Sequence, residues 1–190
     1  MDLTKKKLEK AFTEDTKLIL VNTPMNPTGK AFNQDELEFI ADLVKRYDTY
    51  AICDEVYEHL IFDDVKHVPL ITMPGMAQRA VRISSAGKTF SMTSWKVGYL
   101  TAAPKLMSLI AKAHQFLVFT TPSNLQRAVA YGLNNEEGWY TNLAMELQTK
   151  RNMLEGGLTE IGFDVLPTAA TYFMNAYFRP LGFEGNDVDF

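Results

Sequence analysis

Short apolar runs that alternate with amphipathic segments dominate the first half of this 190-residue chain. The runs cover residues 17–21, 50–53, 80–83 and 97–102, and each ends in polar or turn-forming residues, as buried strands do. Asn33, with Glu36 three positions later, forms a capping-box pattern that predicts a helix reaching about Tyr47. Strands separated by helices of this length run parallel. The pattern therefore predicts a three-layer α/β fold, a mostly parallel sheet with helices on both faces.

The character of the sequence changes after Pro104. Helical periodicity covers residues 105–118, 124–133 and 137–161, and the last segment is long enough to bridge two domains. A strand is predicted over residues 172–178, where it stands isolated, and a lone strand cannot form an independently stable sheet. We therefore expect part of a large domain over 1–136, a linking helix over 137–161, and the beginning of a truncated, smaller α+β domain over 162–190.

Composition and charge exclude several classes of function. The net charge of −4 disfavours a nucleic-acid role, because neutralising phosphates requires an excess of clustered Lys and Arg. Cys53 is the only cysteine, which excludes an internal disulfide and suits a reducing compartment. No apolar run approaches the about 20 residues that span a bilayer, and the N-terminus lacks the apolar segment of a signal peptide. We expect a cytoplasmic protein that binds neither nucleic acid nor membrane.

Residues 84–90 form a strand end that opens into a turn of small residues and presents Lys88. A lysine amine forms a Schiff base with an aldehyde cofactor only when it is unprotonated, and partial desolvation at a sheet edge favours that neutral form. Taken alone, Lys88 is better explained as a solvated loop lysine, because such lysines are common.

Two other strand ends carry residues that suit the same chemistry. Asn26-Pro27-Thr28-Gly29 follows the first strand and Asp54-Glu55-Val56-Tyr57 follows the second, at the edge where open α/β sheets bind ligands. The acid Asp54 can keep a pyridine nitrogen protonated, while Tyr57 and Asn26 can donate to a phenolate oxygen on the same ring. Each segment alone could be a turn or a helix cap. Together with Lys88 they predict a cofactor site.

A phosphate on such a cofactor needs its own ligands. Ser85 and Lys96 lie on either side of Lys88 and offer a hydroxyl and a positive charge, and Ser84 could share this role. We expect them to form the phosphate site.

Residues 18–178 resemble the middle of class I and II aminotransferases of fold type I. The resemblance rests on four motifs in order: Asn26-Pro27-Thr28-Gly29, Asp54-Glu55-Val56-Tyr57, Ser85-Ala86-Gly87-Lys88-Thr89-Phe90-Ser91 and Trp95-Lys96-Val97-Gly98. It implies the large domain of a pyridoxal-phosphate-dependent transferase that acts as a homodimer. Such enzymes move an amino group between an amino acid and a 2-oxo acid.

The same resemblance implies a role for each candidate residue. Lys88 would be the Schiff-base lysine and proton shuttle, and Asp54 would pair with the pyridine nitrogen. Asn26 and Tyr57 would contact the ring oxygen, and Ser85 and Lys96 would hold the phosphate. The one cofactor that the resemblance implies is pyridoxal 5'-phosphate.

Within the family, residues 54–59, 73–76 and 85–91 look most similar to kynurenine, glutamine and methionine aminotransferases, which can also act as cysteine-conjugate β-lyases. β-Elimination is therefore an alternative activity, and a non-catalytic fragment that retains the fold is another alternative. Family members run to about twice this length, and their missing parts supply half of the phosphate site and the arginine for the substrate carboxylate. Arg179 follows the predicted strand too closely to be that arginine, so the carboxylate site stays unassigned.

A metal site is a weaker interpretation. Glu55 and His59 lie four positions apart and could share a helix face, but no third ligand follows at a zinc-like spacing. We expect a solvated or capping role for Glu55, and a structural role for His67, which has no carboxylate pattern near it.

Overall fold

The computed structural model describes residues 4–190, so residues 1–3 of the predicted large-domain part lie outside the described residues. The helices are α1 Lys5–Ala11, α2 Gln34–Arg46, α3 Ala86–Thr89, α4 Pro104–Leu117, α5 Ser123–Asn135 and α6 Glu137–Glu160. The strands are β1 Leu18–Asn22, β2 Tyr50–Asp54, β3 Ala80–Ser85, β4 Gly98–Ala102, β5 Asp164–Val165 and β6 Ala176–Tyr177.

Strands β1 to β4 form one sheet in that order. The first three strands run parallel, and β4 runs antiparallel to β3. The register pairs Asn22 with Asp54 and Asp54 with Ile83, so the carboxyl ends of the three parallel strands lie at one edge. This arrangement confirms the predicted α/β class with a mostly parallel sheet.

Helix α2 covers one face of the sheet. The side chain of Asn33 accepts from the Glu36 amide at 2.9 Å, and the Glu36 carboxylate accepts from the Asn33 amide at 3.0 Å, which confirms the predicted capping box. One side of the helix is buried, and fully burying each of its large aliphatic side chains contributes about 1.5–3 kcal/mol. This core also contains Cys53, which is fully buried. Its other buried members include Val21, Leu37, Ile40, Val44, Ala51, Leu70 and Met76.

Helix α5 packs against the segment that carries Lys88. Ala86, Val97 and Val129 form a small buried cluster, with Phe90 packed against it. A Cβ on Gly132 would lie 2.9 Å from Cζ of Phe90, so only glycine allows the helix to approach this ring. The contact fixes Phe90 within residues 85–96, which carry Lys88 and are called the lysine turn below.

The prediction of an isolated strand over residues 172–178 is wrong. The strand β6 is shorter, and it pairs antiparallel with β5, Tyr177 lying opposite Asp164. Extended pairing begins late because Thr171 has a φ of 71° and its amide donates to the carbonyl oxygen of Leu60 at 2.9 Å. The chain around Thr171 is therefore hydrogen-bonded to the loop after β2 and not to another strand.

None of the helices in the described part of the chain combines the length and the apolar character needed to cross a membrane.

Candidate active site

The residues predicted from the first two strand ends lie together. The carbonyl oxygen of Asp54 accepts from the Thr23 amide at 3.1 Å and from Nδ2 of Asn22 at 3.0 Å. Oδ1 of Asn22 in turn accepts from the backbone amide of Asn26 at 2.9 Å. These bonds tie the turn after β1 to the end of β2, so Asn26 and Asp54 belong to one rigid edge of the sheet.

Tyr57 occupies the centre of this edge and is only 2% exposed. Burial raises the pKa of its hydroxyl well above the ordinary value, and the contact with Tyr172 and the charge of Asp54 act in the same direction. A hydrogen bond with the Asn26 side chain acts in the opposite direction. The Tyr57 hydroxyl therefore stays protonated, and it can donate to an anionic ring oxygen.

The lysine turn brings the third strand end to the same place. Nζ of Lys88 lies 5.5 Å from the centroid of the Tyr57 ring. The turn is tight, because a Cβ on Gly87 would lie 3.0 Å from Cα of Thr93. The Thr93 hydroxyl donates to the Gly87 carbonyl oxygen at 3.2 Å, and this bond closes the turn behind the lysine.

The candidate phosphate ligands take different positions along the turn. Ser85 is the last residue of β3 and is half-buried, and its carbonyl oxygen accepts from the Thr89 hydroxyl at 3.1 Å. Lys96 is exposed and has a φ of 55° at the point where the chain returns into β4. Ser84 is buried and hydrogen-bonds with Tyr99, so it is already engaged elsewhere.

Tyr172 is a site residue that the sequence did not reveal. Its hydroxyl oxygen accepts from Nζ of Lys88 at 2.8 Å and from the Tyr57 hydroxyl at 3.3 Å. Its ring meets that of Tyr57 edge to face, with 5.4 Å between centroids. The only sequence signal was its place in an apolar, aromatic run, which predicts a strand equally well.

Lys88 and Tyr172 line an open cleft of about 430 Å³, which Leu143 and Leu147 of α6 border. A larger cavity of about 640 Å³ lies between β4 and helices α4 and α5, but its lining is mainly apolar and includes none of the predicted site residues. The cleft beside Lys88 is the better candidate, because it contains the reactive amine next to polar donors.

A buried ion cluster lies behind the site and corrects two statements: that Glu55 is solvated or a cap, and that no carboxylate lies near His67. The Glu55 side chain is fully buried, and its Oε2 lies 2.9 Å from Nε2 of His67 and 2.8 Å from Nε of Arg82. Its other oxygen accepts from the Leu70 amide at 3.2 Å. Glu55 is therefore neither solvated nor a cap, and His67 has a carboxylate partner, because the fold brings together residues that are distant in sequence.

Metal binding finds no support in this cluster. Across residues 4–190, no three His, Cys, Asp or Glu side chains are arranged to hold a metal ion. Both carboxylate oxygens of Glu55 are already engaged, one with His67 and Arg82 and the other with the Leu70 amide.

The arrangement as a whole has the chemistry to hold a substituted pyridine ring. An amine, a carboxylate, a protonated phenol and an amide converge on one sheet edge through Lys88, Asp54, Tyr57 and Asn26. These groups fit the aldehyde, the ring nitrogen and the ring oxygen of pyridoxal phosphate.

Comparison with known proteins agrees with this chemistry. The probable N-succinyldiaminopimelate aminotransferase DapC of Mycobacterium tuberculosis is 41% identical over 177 residues, which cover 93% of this chain and 45% of that protein. The kynurenine–oxoglutarate transaminase of Dictyostelium discoideum is 42% identical over 176 residues, which cover 90% of this chain and 40% of the relative. The chain thus spans less than half the length of these relatives.

A solved structure gives the same result for the fold. The Escherichia coli protein YbdL, for which a methionine aminotransferase function was identified, superposes with a TM-score of 0.94 at 32% identity. The match covers 99% of this chain and 50% of that structure. The sequence model described as aminotransferase class I and II matches residues 1–188. The chain therefore belongs to the class I and II aminotransferases.

Proposed function

We propose that this chain binds pyridoxal phosphate through Lys88 and serves the transfer of an amino group between an amino acid and a 2-oxo acid. The observation that carries the proposal is the meeting of Lys88 with Tyr57, Asn26 and Asp54 at the carboxyl ends of three neighbouring strands. Ligands of open α/β sheets bind at this edge, and an amine, a carboxylate, a phenol and an amide together suit this cofactor.

Pyridoxal phosphate, when bound, supplies an aldehyde that condenses with amines and a ring that accepts electron density. Lys88 provides the amine. Its Nζ can also take the α-proton of a bound amino acid and return it at the aldehyde carbon of the cofactor. Lys88 therefore acts both as attachment point and as proton shuttle.

The surrounding residues would orient the cofactor. Asp54 offers a carboxylate to a protonated ring nitrogen, and this pairing keeps the ring able to accept electrons. Tyr57 and Asn26 donate to the ring oxygen. Ser85 and Lys96 would hold the phosphate from the two ends of the lysine turn.

The wider assembly follows from the same proposal. The relatives are about twice as long as this chain, so the remaining phosphate ligands and the carboxylate arginine would come from other parts of the full protein. We propose a homodimer in the cytoplasm, with a large-domain part over 1–136, a linking helix over 137–161 and a small-domain part from 162. Kynurenine, N-succinyldiaminopimelate and methionine aminotransferases suggest the substrate classes to test first.

The test is covalent attachment of the cofactor. Purified protein is incubated with pyridoxal phosphate, treated with borohydride, and digested for mass spectrometry. We expect an absorption band that borohydride abolishes and a stable modification on Lys88, which Lys88→Ala removes. Lys112→Ala, which changes an exposed lysine of α4, serves as control and should behave as the parent.

Attachment at other lysines, without preference for Lys88, would overturn the proposal. If attachment succeeds, the products then separate two reactions. Formation of an amino acid from an added 2-oxo acid indicates amino transfer, whereas release of pyruvate and ammonia from a cysteine conjugate without that acceptor indicates β-elimination.

A further inference from the structure

Tyr172 approaches the site from a part of the chain that the strand-end motifs do not include. Although it is 47% exposed, its hydroxyl oxygen accepts two hydrogen bonds, from Lys88 at 2.8 Å and from Tyr57 at 3.3 Å. Nζ of Lys88 also lies 5.5 Å from the centroid of the Tyr172 ring. A tyrosine that only covered apolar surface would have no need for either hydrogen bond.

The backbone before Tyr172 is held in an unfavourable conformation. Thr171 is fully buried and has a φ of 71°, a region that β-branched residues avoid and that costs on the order of 1–3 kcal/mol. Its hydroxyl accepts from the Phe173 amide at 3.2 Å, so the turn is closed by its own side chain. Strain of this kind persists only where the surrounding structure enforces it, and it is concentrated at functional positions.

Three backbone hydrogen bonds enforce this turn. The Ala169 amide donates to Gly29 at 3.0 Å, and the Ala169 carbonyl oxygen accepts from Phe62 at 2.9 Å. The Thr171 amide donates to the Leu60 carbonyl oxygen at 2.9 Å. The turn is thus bound to both loops that carry the ring-oxygen ligands, and the direction of the Tyr172 side chain is fixed relative to the sheet.

The two accepted hydrogen bonds alter the hydroxyl itself. Burial acts to raise the pKa of Tyr172, but the hydrogen bonds from Lys88 and Tyr57 outweigh it and lower the pKa below its ordinary value. The same oxygen accepts both hydrogen bonds, so it suits an amine donor.

We propose that Tyr172 is a positioning residue for Lys88: its hydroxyl holds the amino group over the Tyr57 ring, where that amine meets an aldehyde in the cleft. An amine that donates one N–H to a fixed oxygen has a defined orientation and keeps its lone pair for attack. The role depends on the proposed cofactor chemistry of Lys88. Tyr172 acts on the reaction only through the lysine.

The experiment measures two reactions of Lys88 in the full chain, with Tyr172→Phe and the control Tyr131→Phe. Tyr172→Phe keeps the ring contacts with Tyr57, and Tyr131 is an exposed residue of α5. The first reaction is acetylation by acetic anhydride without cofactor at one mildly alkaline pH, quantified by mass spectrometry at each lysine. The second is borohydride-trapped attachment of pyridoxal phosphate at Lys88.

In Tyr172→Phe we expect acetylation of Lys88 to rise by about threefold to tenfold, the effect of losing one hydrogen bond at an amine. Lysines of α1 should be unchanged. The rate of attachment at Lys88 should fall by a similar factor, because the amine is no longer held toward the cleft. A purely structural defect would instead raise both reactions, or lower both, and would affect other lysines as well.

Faster acetylation together with slower cofactor attachment, both confined to Lys88, supports the proposal. Equal rates in Tyr172→Phe and Tyr131→Phe, or changes in the same direction, overturn it. If the parent chain attaches no cofactor, the proposed function fails on its own, while unchanged acetylation of Lys88 in Tyr172→Phe would separately refute the positioning contact.

Discussion

Nε of Arg82 lies 2.8 Å from Oε2 of Glu55, although Arg82 lies within β3, Glu55 directly follows β2, and the two stand 27 positions apart. The parallel register of β2 and β3 pairs Arg82 with Cys53, two residues before Glu55. Since the Glu55 side chain is fully buried, its carboxylate depends on Arg82 as an ion-pair partner and on hydrogen bonds with His67 and the Leu70 amide. The pair of Glu55 and Arg82 stabilises the end of β2, which carries Asp54, the proposed partner of the ring nitrogen.

Arg82→Met should lower the free energy of unfolding by about 3 kcal/mol, because it leaves a buried carboxylate short of a partner. The 26% exposure of the Arg82 side chain places the effect at the low end of the usual range for buried pairs. Urea denaturation followed by circular dichroism measures it. Lys150→Met breaks an exposed pair with Glu146 and should cost less than about 1 kcal/mol. Equal losses in the two variants would contradict the prediction.

Asp54→Asn should keep covalent attachment at Lys88 but weaken cofactor binding about tenfold, since one charge-assisted hydrogen bond to the ring nitrogen is lost. Titration with pyridoxal phosphate, followed by absorption, gives the affinity. Asp42→Asn changes an exposed carboxylate on α2 and provides the matched control. Unchanged affinity in Asp54→Asn would remove this residue from the site.

Gly87→Ala should displace the lysine turn, because the added Cβ would lie 3.0 Å from the Thr93 backbone. We expect a loss of stability of about 1–3 kcal/mol and slower attachment at Lys88. Gly157→Ala on α6 meets nothing within 4 Å and should instead stabilise the protein by about 0.5–1 kcal/mol. Denaturation curves of both variants test the pair, and the prediction fails if Gly87→Ala is as stable as the parent.

Burial raises the pKa of the Cys53 thiol from 9.0 to about 12, so the folded protein keeps the thiol protonated where the unfolded chain ionises. The stability contributed by the neutral thiol is present below pH 9.0 and is lost as the pH rises toward about 12. In this window the free energy of unfolding should fall more steeply in the parent than in Cys53→Ala, by about 1.4 kcal/mol per pH unit. Urea denaturation at several pH values compares the slopes; parallel slopes would contradict the assignment.

Local patterns predicted the elements whose signals lie within a few residues. The capping box at Asn33 and Glu36 lies at the start of α2, and helix α6 extends over Glu137–Glu160, close to the predicted 137–161. The three strand ends were also predictable, because apolar runs and polar turns mark them. Their meeting at one edge follows from parallel pairing alone, so most of the candidate site could be inferred before the fold was known.

Contacts between distant segments could not be inferred in this way. The partner of Glu55 depends on the register between β2 and β3, and an apolar run does not encode its register or the antiparallel direction of β4. Tyr172 was assigned to a strand because aromatic residues favour strands. The left-handed Thr171 and its bond to Leu60 override that preference.

The backbone bonds from residues 169 and 171 to Gly29, Leu60 and Phe62 make the turn before Tyr172 part of the sheet's own framework. Beyond it, the pair β5 and β6 reaches the same loops through the exposed bond from Asn175 to the Pro27 carbonyl oxygen. The position of Tyr172 beside Lys88 is therefore set by backbone hydrogen bonds to the loops after β1 and β2.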